Sequence, residues 1–241
     1  MKDPAAPEVT PALESSTRRR TLAVIGVGGL AALAGACAGP PMSPARQLDA
    51  ATAPKVGSTW TYAYRSEWKN VAPRSLAYTV TAVNEKGVQD RLAPPDAPAN
   101  GVEHLFTSAW QIVARPYTDV MVHEFSPYLL AFGALAVGER SSVTVPPPGW
   151  GTDWTTTARA AGTERVQVPA GTFDAIRVEI LGTRLYLAGQ MDDAADPVRL
   201  YATAWFAPAV KRTVRFTYRT QAALLNPLAR DHYELQGFRL A

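Results

Sequence analysis

Cysteine and histidine are scarce in this sequence. Of its 241 residues, one is Cys and three are His. A single cysteine excludes an intramolecular disulfide framework and a cysteine-based zinc site. So few histidines, with no dense Cys/His cluster, also argue against a transition-metal centre. The sequence therefore predicts a protein without a bound metal or cofactor.

An excess of one charge is also missing. Lys and Arg number 24, Asp and Glu number 21, and the net charge is +3. Such a small excess gives no reason to expect a nucleic-acid partner. Hydrophobic residues make up 47% and charged residues 19% of the chain, which excludes a disordered protein or a coiled coil. The length allows one or two globular domains.

Catalytic signatures are absent from the sequence as well. No Gly-x-Ser-x-Gly nucleophile elbow occurs, and His123-Glu124 lacks the second histidine of a zinc-protease helix. We therefore expect a protein that is not an enzyme. A hydrolase with a site assembled from distant loops remains an alternative. Convergence of His104, His123 or His232 with a serine and an acid would favour it.

The N-terminal 36 residues resemble an export signal. Residues 1–20 are polar and end in three arginines, and residues 21–39 carry no charge. This order is typical of a secretory signal peptide. Many Gly and Ala dilute the apolar stretch, which favours a cleaved signal over a permanent membrane anchor. Arg19 and Arg20 precede Thr21 and Leu22, as in a twin-arginine signal; an ordinary Sec signal is the alternative.

Cys37 lies at the end of this apolar stretch, after Ala34-Gly35-Ala36. Small residues before a cysteine resemble the bacterial lipobox, in which the cysteine receives a diacylglyceryl group. Lipidation of Cys37 would remove residues 1–36 and anchor the protein to a membrane through its acyl chains. The alternative is that Cys37 is only a small apolar residue of the signal. We expect an exported, lipid-anchored protein of the bacterial envelope that faces the periplasm, with the outer membrane favoured over the inner.

Aromatic residues mark the start of the folded domain, because no Phe, Trp or Tyr precedes Trp60. Residues 37–54 contain four prolines among Ala, Gly and Ser, a composition that cannot form a core. They are predicted to form a semi-extended tether with a reach of about 50 Å. Residues 55–241 are predicted to form a single monomeric β domain.

Period-two patterns predict the strands of that domain. Trp60, Tyr62 and Tyr64 alternate with small polar residues, and similar alternation recurs along the chain. Further strands are predicted at 75–83, 163–168, 172–181, 199–206, 211–219 and 231–240. Pro169-Ala170-Gly171 has the turn chemistry of a hairpin. The sequence therefore predicts a mostly β fold: an antiparallel curved sheet or a barrel-like domain.

Three segments carry a family resemblance. They are Gly57–Tyr62, the Val-Pro-Ala-Gly-Thr-Phe segment Val168–Phe173 with its flanks, and Trp205–Val210. Together they resemble uncharacterised, exported, β-rich bacterial envelope lipoproteins. The resemblance implies the fold and the location and brings no catalytic residues.

Two groups of side chains are candidates for function. Lys211, Arg215 and Arg219 share one strand face, which is either a solvated face or a stripe for an anionic partner such as lipid headgroups or an acidic polysaccharide. The aromatics either fill the interior as core or line a cavity for an apolar ligand. They are Trp60, Tyr62, Tyr64, Trp110, Trp154, Trp205, Phe216 and Tyr218. We expect a binding, scaffold or chaperone module, whose partner is an envelope protein or an apolar ligand. The alternative is a carrier that holds an apolar or lipid ligand in a half-barrel cavity.

Overall fold

The computed structural model describes residues 46–67, 71–145, 154–186, 196–221 and 227–241. Within these ranges the chain forms twelve β-strands and short 3-10 segments. The strands are β1 Thr59–Ser66, β2 Arg74–Asn84, β3 Gly87–Ala93, β4 Val102–Phe106, β5 Ile112–Tyr117, β6 Val120–Phe125, β7 Arg140–Val145, β8 Trp154–Val168, β9 Gly171–Tyr186, β10 Asp196–Ala207, β11 Arg212–Gln221 and β12 Pro227–Arg239. The prediction of a mostly β, antiparallel fold is confirmed.

Ten of these strands form one antiparallel sheet. Its order is β4-β3-β2-β1-β12-β11-β10-β9-β8-β7, so the first and last strands of the domain, β1 and β12, pair at its centre. Strands β4 and β7 are the edges, and the sheet is open rather than a closed barrel in the described ranges. Strands β5 and β6 form a separate two-stranded hairpin.

Alternating side chains give the sheet one buried face and one solvated face. Trp60, Tyr62 and Tyr64 of β1 are at most 2% exposed, whereas Thr61 and Ala63 between them are half-buried. The same period of two buries alternate residues of β2, β8, β10 and β11. Because successive strand residues point to opposite faces, this pattern fixes which face receives the core. We call the buried face the inner face and the opposite one the outer face.

The long β8–β9 hairpin shows how strongly the sheet curves. Its two-residue loop is Pro169-Ala170, and Val168 pairs with Gly171. The Ala170 amide donates a hydrogen bond to the Leu235 carbonyl of β12, three strands away in the sheet order, at 2.9 Å. The side chain of Arg215 likewise donates to the Gln167 carbonyl at 2.6 Å. The hairpin tip therefore returns to the centre of its own sheet.

The β5–β6 hairpin and the 3-10 turn Leu129–Phe132 cover the inner face. The Phe125 ring lies edge-on to Phe206 of β10 at 6.4 Å between centroids. The Tyr128 ring contacts Trp60 at 5.9 Å, which joins the segment after β6 to β1. Such edge-to-face and tilted aromatic contacts are favourable beyond the area they bury. The domain is thus a curved sheet with a hairpin packed into its concavity.

Four buried charged side chains connect this hairpin to the sheet. Asp90 of β3, Arg115 of β5, Glu124 of β6 and Arg212 of β11 are each at most 1% exposed. The Arg115 guanidinium contacts Asp90 at 2.7 Å and Glu124 at 3.3 Å. The Arg212 guanidinium contacts Asp90 at 3.4 Å and is also ion-paired with Glu124. Each arginine therefore contacts both carboxylates, and we call this closed set the charge quartet.

Neighbouring groups complete the quartet. The Tyr128 hydroxyl donates to Asp90 at 2.6 Å, and Arg115 donates to the Val102 carbonyl at 2.9 Å. The Arg212 guanidinium lies 3.9 Å from the centre of the Tyr78 ring, which supplies a cation–π contact. Burial raises the pKa of Glu124, while the two arginines act to lower it. With two cations and two anions, the set buries no net charge when all four are ionised.

Part of the predicted tether is packed on the β domain. The Asp49 amide donates to the Ala131 carbonyl at 2.7 Å, and Ala53 is 3% exposed. The Lys211 ammonium donates to the carbonyls of Ala51 and Ala53 at 3.2 and 2.8 Å. The compact unit thus takes in residues 46–54 and begins before the predicted residue 55. Within the described ranges, no helix has the length and apolar character that crossing a membrane requires.

The aromatic interior is packed with side chains. The Tyr62 ring lies edge-on to Tyr78 at 5.5 Å and to Tyr233 at 5.2 Å, and burial raises the pKa of all three hydroxyls. Of the aromatics predicted for the interior, Trp205 is different. It is half-buried on the outer face, where its indole N–H donates to Glu164. The interpretation of Trp205 as an interior residue is therefore wrong, because its position in β10 is out of phase with the buried Ala204 and Phe206.

We predict that Gly171→Val destabilises the domain. Gly171 closes the β8–β9 hairpin with a φ of +136°, a region that a β-branched residue rarely adopts. The expected cost is about 1–3 kcal/mol, measured by thermal or denaturant unfolding. Gly162→Val is the matched control, because Gly162 lies in the same hairpin and no heavy atom is within 4 Å of its added Cβ. Equal stabilities of both variants and the wild type would contradict the prediction.

Candidate binding groove

A groove of about 530 Å³ crosses the outer face of the sheet. It runs over β9, β10, β11 and β12, towards the end of the sheet at which β1 ends. The outward-facing side chains that line it come from alternate positions of these strands. They are Glu179, Leu181, Tyr201, Thr203, Thr217, Arg219, Arg230 and His232, with Glu67 after β1.

Strand register places the groove side chains in two rows. In the first, Thr203 of β10 lies opposite Thr217 of β11, and Thr217 lies opposite His232 of β12. In the second, Tyr201 lies opposite Arg219, and Arg219 lies opposite Arg230. The Arg219 guanidinium is 4.8 Å from the centre of the Tyr201 ring. The groove thus combines hydroxyl groups, one aromatic ring and two arginines on directly opposite strand residues.

The charges in the groove are only partly neutralised. Arg230 donates to Glu67 at 2.9 Å, in an ion pair whose members are both about half exposed. Glu179 is held by Arg159 at 2.8 Å and by Arg177 at 3.1 Å. Among the described residues, Arg219 has no carboxylate within 4.0 Å. Arg219 and Arg230 are like charges on directly opposite residues. Such an arrangement destabilises the sheet when no ligand is bound, and an anion between them would offset the repulsion.

A second groove of about 550 Å³ continues from the first. The two share Glu179 and Leu181, and the second extends over β8 to the edge strand β7. It is lined by Arg140, Ser141, Ser142, Thr157 and Arg159 among others. Six neighbouring strands, about 4.8 Å apart, give the combined surface a length of about 25 Å. An extended ligand fits this length better than a compact one.

The structure separates the three residues of the predicted basic stripe. Arg219 lies in the groove. Arg215 is on the same face but donates to Glu234 at 2.8 Å and to Gln167, so its charge is neutralised. Lys211 lies before β11 in a left-handed turn with a φ of +57°, where it holds the carbonyls of Ala51 and Ala53. The 3-10 turn Pro208–Val210 ahead of it takes Lys211 out of the strand, so the three do not form one stripe.

Sequence reasoning did not find most of the groove. The alternation within the predicted strands indicates that four groove residues face outward: Tyr201, Thr203, Thr217 and His232. It does not indicate which residues lie opposite them on neighbouring strands. That depends on the strand order β9-β10-β11-β12 and its register, which are set by tertiary structure.

One of the three histidines, His123, lies close to a carboxylate. His123 Nδ1 lies 3.7 Å from Asp231 of β12, and its ring stacks on Tyr218 at 4.1 Å. The Tyr64 hydroxyl is hydrogen-bonded to Asp231 and to Ser66, and burial raises its pKa. The Asp231 carboxylate is thus shared with a tyrosine, and 3.7 Å is too long for a hydrogen bond to His123. His104, whose pKa is lowered by burial, packs beside Phe106 at 4.6 Å, and His232 lies in the groove.

Three predicted functional residues, Cys37, Arg19 and Arg20, lie outside the described residues, as does the predicted signal peptide. Lipidation and export therefore stay predictions. In the part of the chain that the structure describes, no group of three or more His, Cys, Asp or Glu side chains is arranged to hold a metal ion.

Comparisons with known proteins give two structural neighbours. No known family matches the sequence, and no curated protein matches it. A "putative lipoprotein" from Parabacteroides distasonis matches with a TM-score of 0.43 and 15% identity, over 77% of this chain and 96% of that one. A "putative exported protein with YmcC-like fold" from Bacteroides fragilis matches with a TM-score of 0.40 and 15% identity, over 81% and 99% of the two chains. Likeness at this level does not bear on the partners or the activity of this chain.

Proposed function

We propose that this protein is an exported envelope lipoprotein whose β domain binds an anionic, hydroxyl-rich ligand in the outer-face groove. The observation that carries the proposal is the pair Arg219 and Arg230, directly opposite each other in neighbouring strands at the groove. A carboxylate or phosphate between two guanidinium groups would relieve their repulsion and accept charge-assisted hydrogen bonds.

The remaining lining selects among anionic ligands. The half-buried Tyr201 ring offers a flat apolar surface to the C–H groups of a sugar, and Thr203 and Thr217 offer hydroxyl groups. Leu181, 56% exposed, is the main aliphatic side chain, which is too little to receive an acyl chain. A segment of acidic polysaccharide therefore fits the groove better than a lipid does, and the 25 Å length over six strands, about 4.8 Å apart, suits a polymer.

The two other functions have less support. A carrier of an apolar ligand needs space in the aromatic interior, and the described interior is filled by ring contacts and by the charge quartet. A hydrolase needs a histidine that activates a nucleophile, but His123 is stacked on Tyr218, and Tyr64 lies between Asp231 and Ser66. We therefore propose a binding role without catalysis for the β domain.

The lipoprotein part rests on Cys37, the one cysteine of the chain, placed after a small-residue run. Acylation there would hold the protein at the envelope membrane, with its β domain in the periplasm. The outer membrane is the proposed location.

We predict that Arg219→Ala weakens binding of polygalacturonate, a carboxylated polysaccharide, by about tenfold, or about 1.4 kcal/mol. The reason is the loss of the guanidinium that has no carboxylate partner within the described ranges. Isothermal titration calorimetry at low salt measures the effect, with neutral dextran as the ligand control. Arg239→Ala is the matched variant, because Arg239 is also an exposed strand arginine but lies outside the groove. Equal affinities for both variants, or no polygalacturonate binding by the wild type, would refute the groove assignment.

We predict that Cys37→Ser releases the protein from membranes or leaves its signal uncleaved. The wild type should fractionate with membranes and carry an acyl mass on Cys37 in intact-protein mass spectrometry. Ser43→Ala, a change nearby that spares the cysteine, should behave as the wild type does. The lipoprotein proposal is wrong if the wild type lacks the acyl mass. It is also wrong if the Cys37→Ser variant fractionates with membranes as the wild type does.

A further inference from the structure

The two ends of the sheet differ in what they carry. Because the sheet is antiparallel, the start of β1, the end of β12 and the turn Pro208–Val210 lie at one end, which we call the basal end. The binding groove lies towards the opposite end, near Glu67 and Arg230. The basal end is therefore free to contact something other than the groove ligand.

The described chain begins at the basal end. Arg46 donates to the Gly133 carbonyl and is ion-paired with Glu139, in the connection between β6 and β7. Its amide donates to Ser108, just after β4. Both connections follow strands that end at the basal end. The N-terminal segment thus reaches the domain at this end, where residues 49–53 are fixed by Ala131 and Lys211.

This fixed segment shortens the distance between the domain and Cys37. Eight residues separate Cys37 from Arg46. Fully extended, that stretch spans at most about 30 Å, compared with about 50 Å for the tether predicted from residues 38–54. If Cys37 carries acyl chains, the basal end is the part of the domain that the chain holds closest to the bilayer.

The basal end has the side chains that suit a lipid surface. Residues 55–58 run beside the C-terminus, since the Ala241 amide donates to Ser58 Oγ at 3.1 Å and Thr59 pairs with Arg239. Val56 is 56% exposed and Phe238 is 40% exposed. Lys55 and Arg239, beside them in sequence, are exposed cations. Apolar side chains flanked by cations match the interface of a membrane with anionic headgroups.

We propose that Lys55, Val56, Phe238 and Arg239, the basal surface, rest on the membrane to which the protein is anchored. This inference depends on the lipid anchor proposed for Cys37. Contact at the basal surface orients the domain with its groove directed away from the bilayer. The anchor keeps the basal surface close to the bilayer and so raises the local concentration of lipid there. The basal surface can then contact the membrane even if its own affinity for lipid is weak.

The test uses the full-length, processed protein in vesicles of phosphatidylethanolamine and phosphatidylglycerol. Single cysteines are introduced by Val56→Cys, Phe238→Cys or Met121→Cys, and each is labelled with an environment-sensitive fluorophore. An acylated Cys37 does not react, so the new cysteine is the one labelled. Met121 is the matched control, because it is 42% exposed, close to Phe238 at 40%, and lies beside the β5–β6 turn at the opposite end.

Lipids with a brominated acyl chain should quench the label at positions 56 and 238 several-fold more than at position 121, with a blue shift at the first two. If Val56→Cys alters the fold, judged by circular dichroism, Phe238→Cys carries the test. Equal quenching at all three positions in protein that has the acyl mass would overturn the basal surface and leave the anchor in place. Absence of the acyl mass would overturn both.

Discussion

The charge quartet fixes the β5–β6 hairpin in the concavity of the sheet. Asp90, Arg115, Glu124 and Arg212 come from β3, the hairpin and β11, and none can lose its partners without leaving an uncompensated charge in the core. Such a set is weak as a source of net stability, because all four groups lose their hydration on folding. We infer that it contributes specificity, because this arrangement of the hairpin pairs both arginines with both carboxylates at once. We infer that the quartet selects the position of the hairpin and that the aromatic contacts supply the burial energy.

This arrangement leaves the outer face as the place for the proposed binding. With the hairpin, the quartet and the packed tyrosines inside, the described interior is occupied by protein side chains. The outer face keeps its charges in solvent, and several of them are paired across strands, as in Arg215 with Glu234. Strand pairing places Arg219 directly opposite Arg230 in the first groove, and Arg140 directly opposite Arg159 in the second. A binding site on a sheet face needs few special residues, so it can exist in a sequence without recognisable motifs.

Much of the fold could be predicted from the sequence, and less of the site. The alternation of Trp60, Tyr62 and Tyr64 with polar or small residues predicts β1 and its buried face, because a period of two is typical of a half-buried β-strand. The quartet could not be predicted, because an isolated Asp90 or Arg115 in a strand resembles a solvated residue, and the partners come from distant strands. Lys211 continues the alternation of Thr213 and Arg215, so periodicity alone predicts a strand there, whereas its left-handed backbone takes it out of the strand. Residues 46–53 have the composition of a tether, and only Leu48 and Ala53 among them pack with the core.

A double-mutant cycle on Arg212 and Glu124 tests most directly whether the quartet is the constraint on which the fold depends. Arg212→Met and Glu124→Gln, alone and together, are compared with the wild type by urea unfolding. Each single change should cost about 3–5 kcal/mol, because each leaves one buried charge of the quartet uncompensated. The double variant should lose about 1–3 kcal/mol less stability than the sum of the two single losses. Costs that add to within about 0.5 kcal/mol would show that the two groups act independently, which contradicts the account.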